Sequence, residues 1–306
     1  MEKKELVIIG GGPAGLSAGL YGSRAKLDTV LLERGIPGGL VISTDQVENY
    51  PGFPEGIGGF ELMQKMEEQA RRFGLEIVSV NVESIRVDGK GFCVKTEDGE
   101  LLAGAVIIAT GAQPQLLGVK GEEQYTGRGV SYCATCDGAF FRGKKVAVIG
   151  GGDAAVQEAI FLTKFAEKVF IIHRRNELRA TRAVQEKAFG NPKIEFVWDA
   201  VVSEISGSDL VESVTVKNVK NGEERDLQVD GVFIYVGQKP NSDLVRDIVS
   251  LDEKGYIITD ENMMTSQPGL YAAGDVRRKL LRQVVTAVAD GAVAAVAAEK
   301  YLEEAH

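Results

Sequence analysis

The stretch Leu6-Val7-Ile8-Ile9-Gly10-Gly11-Gly12-Pro13-Ala14-Gly15 decides the fold. A short, wholly apolar run rich in Ile and Val predicts a strand buried on both faces. The glycines after it predict a tight turn into a helix over 16–25. In Gly10-x-Gly12-x-x-Gly15 the first glycine permits the turn. The second lets backbone approach a pyrophosphate, and the third lets helix and strand pack closely. Pro13 and Ala14 complete the loop. The helix start then offers free N–H groups to phosphate. A second apolar run, Val30-Leu31-Leu32, ends at Glu33, 18 residues after Gly15. A carboxylate at that strand end accepts hydrogen bonds from ribose hydroxyls, so this copy suits a dinucleotide with a free 2′-hydroxyl.

The same pattern recurs 140 residues later without a gap. Val146-Ala147-Val148-Ile149-Gly150-Gly151-Gly152 repeats residues 6–12, and Phe170-Ile171-Ile172 repeats 30–32. Asp153, Ala154 and Ala155 follow Gly152, and Ala is an accepted third residue of the fingerprint. The strand end differs. His173 stands where Glu33 stands in the first copy, followed by Arg174 and Arg175, with Arg179 four residues on. Guanidiniums at this point bind a 2′-phosphate through charge-assisted hydrogen bonds, and an acid would repel it. An isolated Arg-Arg would read as a solvated basic patch. At this topological position the cluster suits NADPH. Two such units predict an α/β chain with two Rossmann-like nucleotide-binding domains.

Ahead of the second copy lies Ser131-Tyr132-Cys133-Ala134-Thr135-Cys136-Asp137-Gly138. A zinc site needs about four ligands, and the other Cys and His are only Cys93, His173 and His306. No metal is expected. A structural disulfide is disfavoured in a cytosolic chain, which leaves a redox dithiol with an exchange-competent thiolate. Asp137 reads equally as a proton donor or acceptor and as a turn former before Gly138. Cys93 reads as a small buried apolar residue. A nicotinamide hydride carries two electrons and a disulfide takes two, and a flavin couples such steps.

Bulk composition narrows the classes further. The 306 residues are 44% hydrophobic and 26% charged, the balance of a soluble globular protein. The longest apolar run, near 292–298, is too short to span a bilayer. The N-terminus lacks the form of a signal peptide. A cytoplasmic location is expected, with no membrane association. A net charge of −9 without a long basic run argues against a nucleic-acid partner.

Taken together, the chain resembles the low-molecular-weight thioredoxin reductases almost end to end. The resemblance rests on Gly-Gly-Gly-Pro-Ala-Gly at 10–15, Cys-Ala-Thr-Cys-Asp at 133–137, the second glycine loop and His-Arg-Arg-x-x-x-Arg at 173–179. It also rests on Gly-Gln-Lys-Pro-Asn at 237–241, Ala-Ala-Gly-Asp-Val at 272–276 and the Arg282-Gln283 pair. It implies a discontinuous FAD domain, 1–114 and 245–306, with an NADPH domain inserted at 115–244 that carries the cysteines. It implies that Gly39, Leu40, Asn49, Val82, Ala109, Thr110, Gly111, Gly274, Asp275, Arg282, Gln283 and Val284 line the FAD site. Gly237 would belong to the nucleotide-binding set as well. Ala109-Thr110-Gly111-Ala112 also reads as an ordinary strand exit, and both readings can hold. The implied electron path runs from NADPH through FAD to the Cys133–Cys136 disulfide, and on to the disulfide of thioredoxin or a thioredoxin-like protein. Cys136 would be the flavin-side sulfur, Cys133 the one that attacks the partner, and Asp137 the acid. Rotation of one domain against the other and a homodimer are further family properties.

The chain departs from the family at four points. Leu40 stands for a usual Gln, Ala154 for Ser or Thr, Val284 for Ala and Gln157 for Glu. These bear on affinity and not on reaction class. The alternatives are a related flavin disulfide reductase or dithiol oxidase with another acceptor, and a non-catalytic nucleotide-binding flavoprotein. The arginine cluster disfavours the oxidase, and idle cysteines would mark the last.

Overall fold

The computed structural model describes residues 2–44 and 46–305, and His306 lies outside them. The chain opens with β1 (Glu2–Ile9), α1 (Pro13–Arg24), β2 (Thr29–Glu33), α2 (Gly59–Arg72) and β3 (Glu76–Ser79). A meander of β4 (Val82–Asp88), β5 (Gly91–Thr96) and β6 (Gly99–Ile108) follows. After β7 (Ala112–Pro114) come α3 (Glu122–Tyr125), β8 (Val130–Ser131) and α4 (Ala134–Asp137). The second nucleotide unit is β9 (Lys145–Ile149), α5 (Asp153–Leu162), β10 (Lys168–Ile172), α6 (Arg182–Phe189) and β11 (Ile194–Val197). An antiparallel trio of β12 (Ala200–Gly207), β13 (Val211–Asn218) and β14 (Glu224–Gln228) leads to β15 (Gly231–Ile234). The chain ends through β16 (Gln238–Pro240), β17 (Leu270–Ala272) and α7 (Val284–Ala305).

Two compact units result: residues 1–113 with 239–306, and residues 114–238. The first holds a sheet in the order β3-β2-β1-β6-β5-β4, with β17 also on β6. Strands β3, β2, β1, β6 and β17 run parallel. The second unit holds the sheet β11-β10-β9-β15-β8, parallel throughout. Both are the α/β, Rossmann-like units that the repeat predicts. No helix among the described residues is long and apolar enough to cross a membrane.

Alternation along β1 explains why its apolar run is continuous. Leu6 and Ile8 face a core built with α1 and α7, including Leu16, Ala18, Ala294 and Ala298. Val7 and Ile9 face the opposite core with Phe92, Val94, Val245 and Ile257. A strand covered on both faces has no polar side to show. In the second unit, Val146 and Val148 of β9 face α5, and Ala147 and Ile149 face the antiparallel trio.

Close backbone approach fixes where α1 sits. A Cβ on Gly15 would fall 1.8 Å from the Gly10 carbonyl oxygen, and one on Gly291 of α7 would fall 2.0 Å from that of Ala14. Backbone cannot yield as a flexible side chain can, so both positions require glycine. Gly291→Ala should therefore lower stability by about 1–3 kcal/mol, the usual cost of overpacking. The check is the thermal unfolding midpoint, and an unchanged midpoint would contradict the α1–α7 contact.

Candidate active site

In the first unit, Gly12 is the N-cap of α1 and supplies no side-chain cap. A Cβ there would meet nothing within 4 Å, so the space over the helix start is open. Glu33, at the end of β2, turns into this loop. Its Oε2 accepts the Gly11 N–H at 2.7 Å and its Oε1 accepts the Gly35 N–H at 2.9 Å. These bonds fix the carboxylate beside the glycine turn, and each oxygen keeps a lone pair for a ligand. The Gly38 N–H donates to the Gly11 carbonyl at 2.8 Å, which draws Gly39 and the exposed Leu40 toward the same loop.

The Asn49 amide donates to Gln283 Oε1 at 2.9 Å, joining two sites 234 residues apart. Thr110 is already engaged. Its hydroxyl donates to the Asn241 carbonyl at 2.7 Å, and the Asn241 amide returns a bond to Thr110 O at 2.9 Å. The Ala109 N–H donates to the Ile9 carbonyl, and Gly111 O accepts the Asn241 N–H. Val82 packs on the core face of Val7 and Ile9, and Val284 packs with Val47, Ile57, Leu62 and Met63. Near the start of α7, Arg282 lies over the Tyr256 ring, 4.0 Å from its centroid. Its Nε is buried without a hydrogen-bond partner, as is Oδ1 of Asp275. Burial pushes the Asp275 carboxyl above its ordinary range, against the pull of Lys279 and Arg282.

The second unit repeats the open helix start. Gly152 caps α5 without a side chain, and a Cβ there would meet nothing within 4 Å. Gly150 closes against Ala155 as the fingerprint requires. Asp153 is spent on the loop, with Oδ1 accepting the Thr181 N–H at 2.8 Å, and Ala154 is exposed. The His173 ring packs so tightly on Gly151 that a Cβ there would lie 2.5 Å from it. Burial first, then Arg179, Arg175 and Arg174, hold this imidazole below its usual pKa. It is neutral at pH 7, with Nε2 buried and unpartnered. Arg174, Arg175 and Arg179 are exposed beside it. Gly237, at φ +148°, accepts the Gln115 N–H through its carbonyl.

Cys133 and Cys136 form a disulfide with Cα atoms 5.4 Å apart. Cys133 is the extended N-cap of α4, and its Sγ accepts the Cys136 N–H at 3.2 Å. Cys133 is half-buried, Cys136 exposed, and Asp137 half-buried beside it. The Asp137 N–H donates to the Cys133 carbonyl at 3.2 Å. Cys93 is buried and free, and burial raises its thiol pKa. It is inert packing.

Several supporting residues carry no motif. The Ala134 N–H donates to Tyr235 Oη at 2.9 Å, and burial raises that phenol's pKa. Tyr132 donates to Glu122 Oε1 at 2.7 Å, and Glu122 also accepts the Leu117 and Gly118 N–H groups. Burial and Glu122 push the Tyr132 phenol up to about 12. The residues on both sides of Cys133 are thus anchored, Tyr132 by Glu122 and Ala134 by Tyr235. Their partners lie up to 101 residues away in sequence, and no local pattern marks them.

The sequence signature described as pyridine nucleotide-disulphide oxidoreductase matches residues 4–291. A thioredoxin reductase of Peptoclostridium acidaminophilum is 50% identical over 305 residues, covering 98% of this chain and 97% of that protein. The crystal structure of Lactococcus lactis thioredoxin reductase, called the FR conformation, superposes with a TM-score of 0.97 at 49% identity, over 98% of this chain and 99% of that one. That of T. acidophilum thioredoxin reductase gives 0.94 at 38% identity, with full coverage of both. The chain belongs to the pyridine nucleotide-disulphide oxidoreductase family, among the low-molecular-weight thioredoxin reductases.

Proposed function

We propose that this chain is a thioredoxin-disulfide reductase that carries electrons from NADPH through FAD to the Cys133–Cys136 disulfide, and from there to thioredoxin. The observation that carries this reading is the disulfide itself. It stands at a helix start directly ahead of the second nucleotide loop, in a chain half identical to thioredoxin reductases over its length.

The residues present fit both cofactors. The first unit offers an open glycine loop, a carboxylate at the strand end, and buried, unpartnered polar atoms on Asp275 and Arg282. These suit an uncharged ribose and the polar edge of a flavin. The second offers an open loop, a neutral histidine and three exposed guanidiniums, which suit a 2′-phosphate. FAD would be held by the first set and NADPH by the second. A flavin supplies the coupling between a two-electron hydride donor and a two-electron disulfide.

The chain's own part is thiol chemistry. Once the disulfide is open, the Cys136 N–H bonded to Cys133 Sγ stabilises a thiolate there. Cys133 attacks one sulfur of the partner's disulfide, and the partner's other sulfur leaves and takes a proton. Cys136 then gives up its proton and attacks Cys133 Sγ. The internal disulfide re-forms and the second partner thiol is released. Asp137, adjacent to Cys136, handles these protons. We place the enzyme in the cytoplasm as a homodimer, on its likeness to bacterial thioredoxin reductases, and its net charge of −9 argues against a nucleic-acid partner.

Cys133→Ser and Cys136→Ser should each reduce NADPH-dependent thioredoxin reduction to background. In both variants NADPH should still bleach the flavin absorbance. Thioredoxin turnover surviving in either variant would overturn the reading. Replacing Arg174 and Arg175 with Ala should raise KM for NADPH about tenfold, the scale of removing one charge-assisted hydrogen bond, and leave KM for NADH nearly unchanged. Equal effects on the two nucleotides would make the cluster a solvated surface patch.

A further inference from the structure

A buried cluster of charges stands behind the turn that carries Asp275. Asp290 projects from α7, and its side chain is only 10% exposed. Its Oδ1 accepts from Arg277 Nη1 at 3.2 Å. Its Oδ2 accepts from Lys279 Nζ at 2.9 Å and from the Gly274 N–H at 3.1 Å. Lys279 is the most buried of these ions, with 7% of its side chain exposed. It reaches a second carboxylate, Asp275 Oδ1, at 3.6 Å. That separation is an ion pair and not a hydrogen bond, and it leaves the Asp275 oxygen's lone pairs free.

Asp290 and Asp275 face three cations between them, Arg277, Lys279 and Arg282. Asp290 alone faces two cations, Arg277 and Lys279. A buried ammonium without full compensation is costly, so Lys279 is held by both carboxylates together. One cation thus fixes both ends of a short turn. Through Asp290 it secures the Gly274 amide, and directly it faces the Asp275 carboxylate. Arg277 is held separately, with Nε donating to Thr259 Oγ1 at 2.8 Å. It can keep Asp290 in place without Lys279, but it does not reach Asp275.

We propose that Lys279 is a positioning residue for the flavin site: seated between Asp290 and Asp275, it holds the Asp275 carboxylate in place at the FAD site, and so sets how firmly FAD is retained. This rests on the reading of Asp275 as a flavin-site residue. The charged groups facing Asp275 are Lys279 and Arg282 from its own turn, and Asp290 from α7. Burial raises its pKa, and Lys279 is the largest opposing pull. Removing Lys279 therefore moves protonation of Asp275, and loss of its acceptor function, to higher pH.

The test is FAD release from diluted holoprotein, followed by the rise in flavin fluorescence across a pH series. Lys279→Met should raise the FAD Kd about tenfold at neutral pH and shift the midpoint of release upward. Lys279→Arg should recover much of both, and Lys279→Gln serves where the Met variant does not fold. A wild-type Kd and midpoint in the Met or Gln variant would overturn the proposal. So would weaker binding with an unshifted midpoint, which is the signature of packing alone. Asp275→Asn separates the two levels. If it leaves FAD retention unchanged at every pH, the underlying site reading fails and this proposal with it. If Asp275→Asn weakens retention and the Lys279 variants do not, only the role of Lys279 fails.

Discussion

Gly12 and Gly152 each cap a helix without a side chain to receive the first-turn amides. Those N–H groups need an acceptor, which in many proteins a Ser, Thr, Asp or Asn side chain supplies. Here the space a side chain would fill is left open. The sheet frame exists to hold these bare helix starts in place. In the first unit Gly15 lies against Gly10, and Gly291 lies against Ala14, so α1 is fixed from both sides by backbone. A helix held this way keeps its open end without help from local caps.

On this shared frame, one strand end differs and sets the electrostatics of each unit. Glu33 is tied to Gly11 and Gly35, which places a carboxylate beside the first loop. At the matching point His173 packs flat on Gly151, with its charge suppressed by burial and by three arginines. A neutral ring there lets the guanidiniums stay close without adding a fourth positive charge at the loop. The two loops are alike in leaving a helix start open, with no side chain over it. The strand ends differ in charge, with a carboxylate at the first and exposed guanidiniums around a neutral ring at the second.

Legibility in the sequence follows the range of the interaction. The glycine loops, the buried strands and the Cys-x-x-Cys are local, so their spacing reports them directly. The repeat at 140 residues makes the two-unit architecture readable as well. Leu40 and Val82 enter only through the resemblance. Leu40 is half-exposed and Val82 serves a core face, so neither carries a chemical signal of its own. Thr110 is legible as a strand exit, but its bond to Asn241 spans 131 residues. Tyr235, Glu122 and the pairing of Asp290 with Lys279 are not legible. Each is an ordinary residue whose role is created by a partner brought close by the sheet.

The same logic bears on the cysteines. The chain keeps Cys133 extended while Cys136 enters a helical turn, and that change of conformation aims the Cys136 amide at the Cys133 sulfur. Four residues of helix cannot hold this shape alone, because a single turn gains too few bonds to offset the residues it fixes. Tyr235 grips the amide just after Cys133, Ser131 Oγ accepts the Cys133 N–H at 3.0 Å, and Glu122 secures Tyr132 just before it. The redox motif is therefore a short segment whose geometry is imposed by the nucleotide unit around it. Its shape is thus set by contacts that reach well beyond the motif itself.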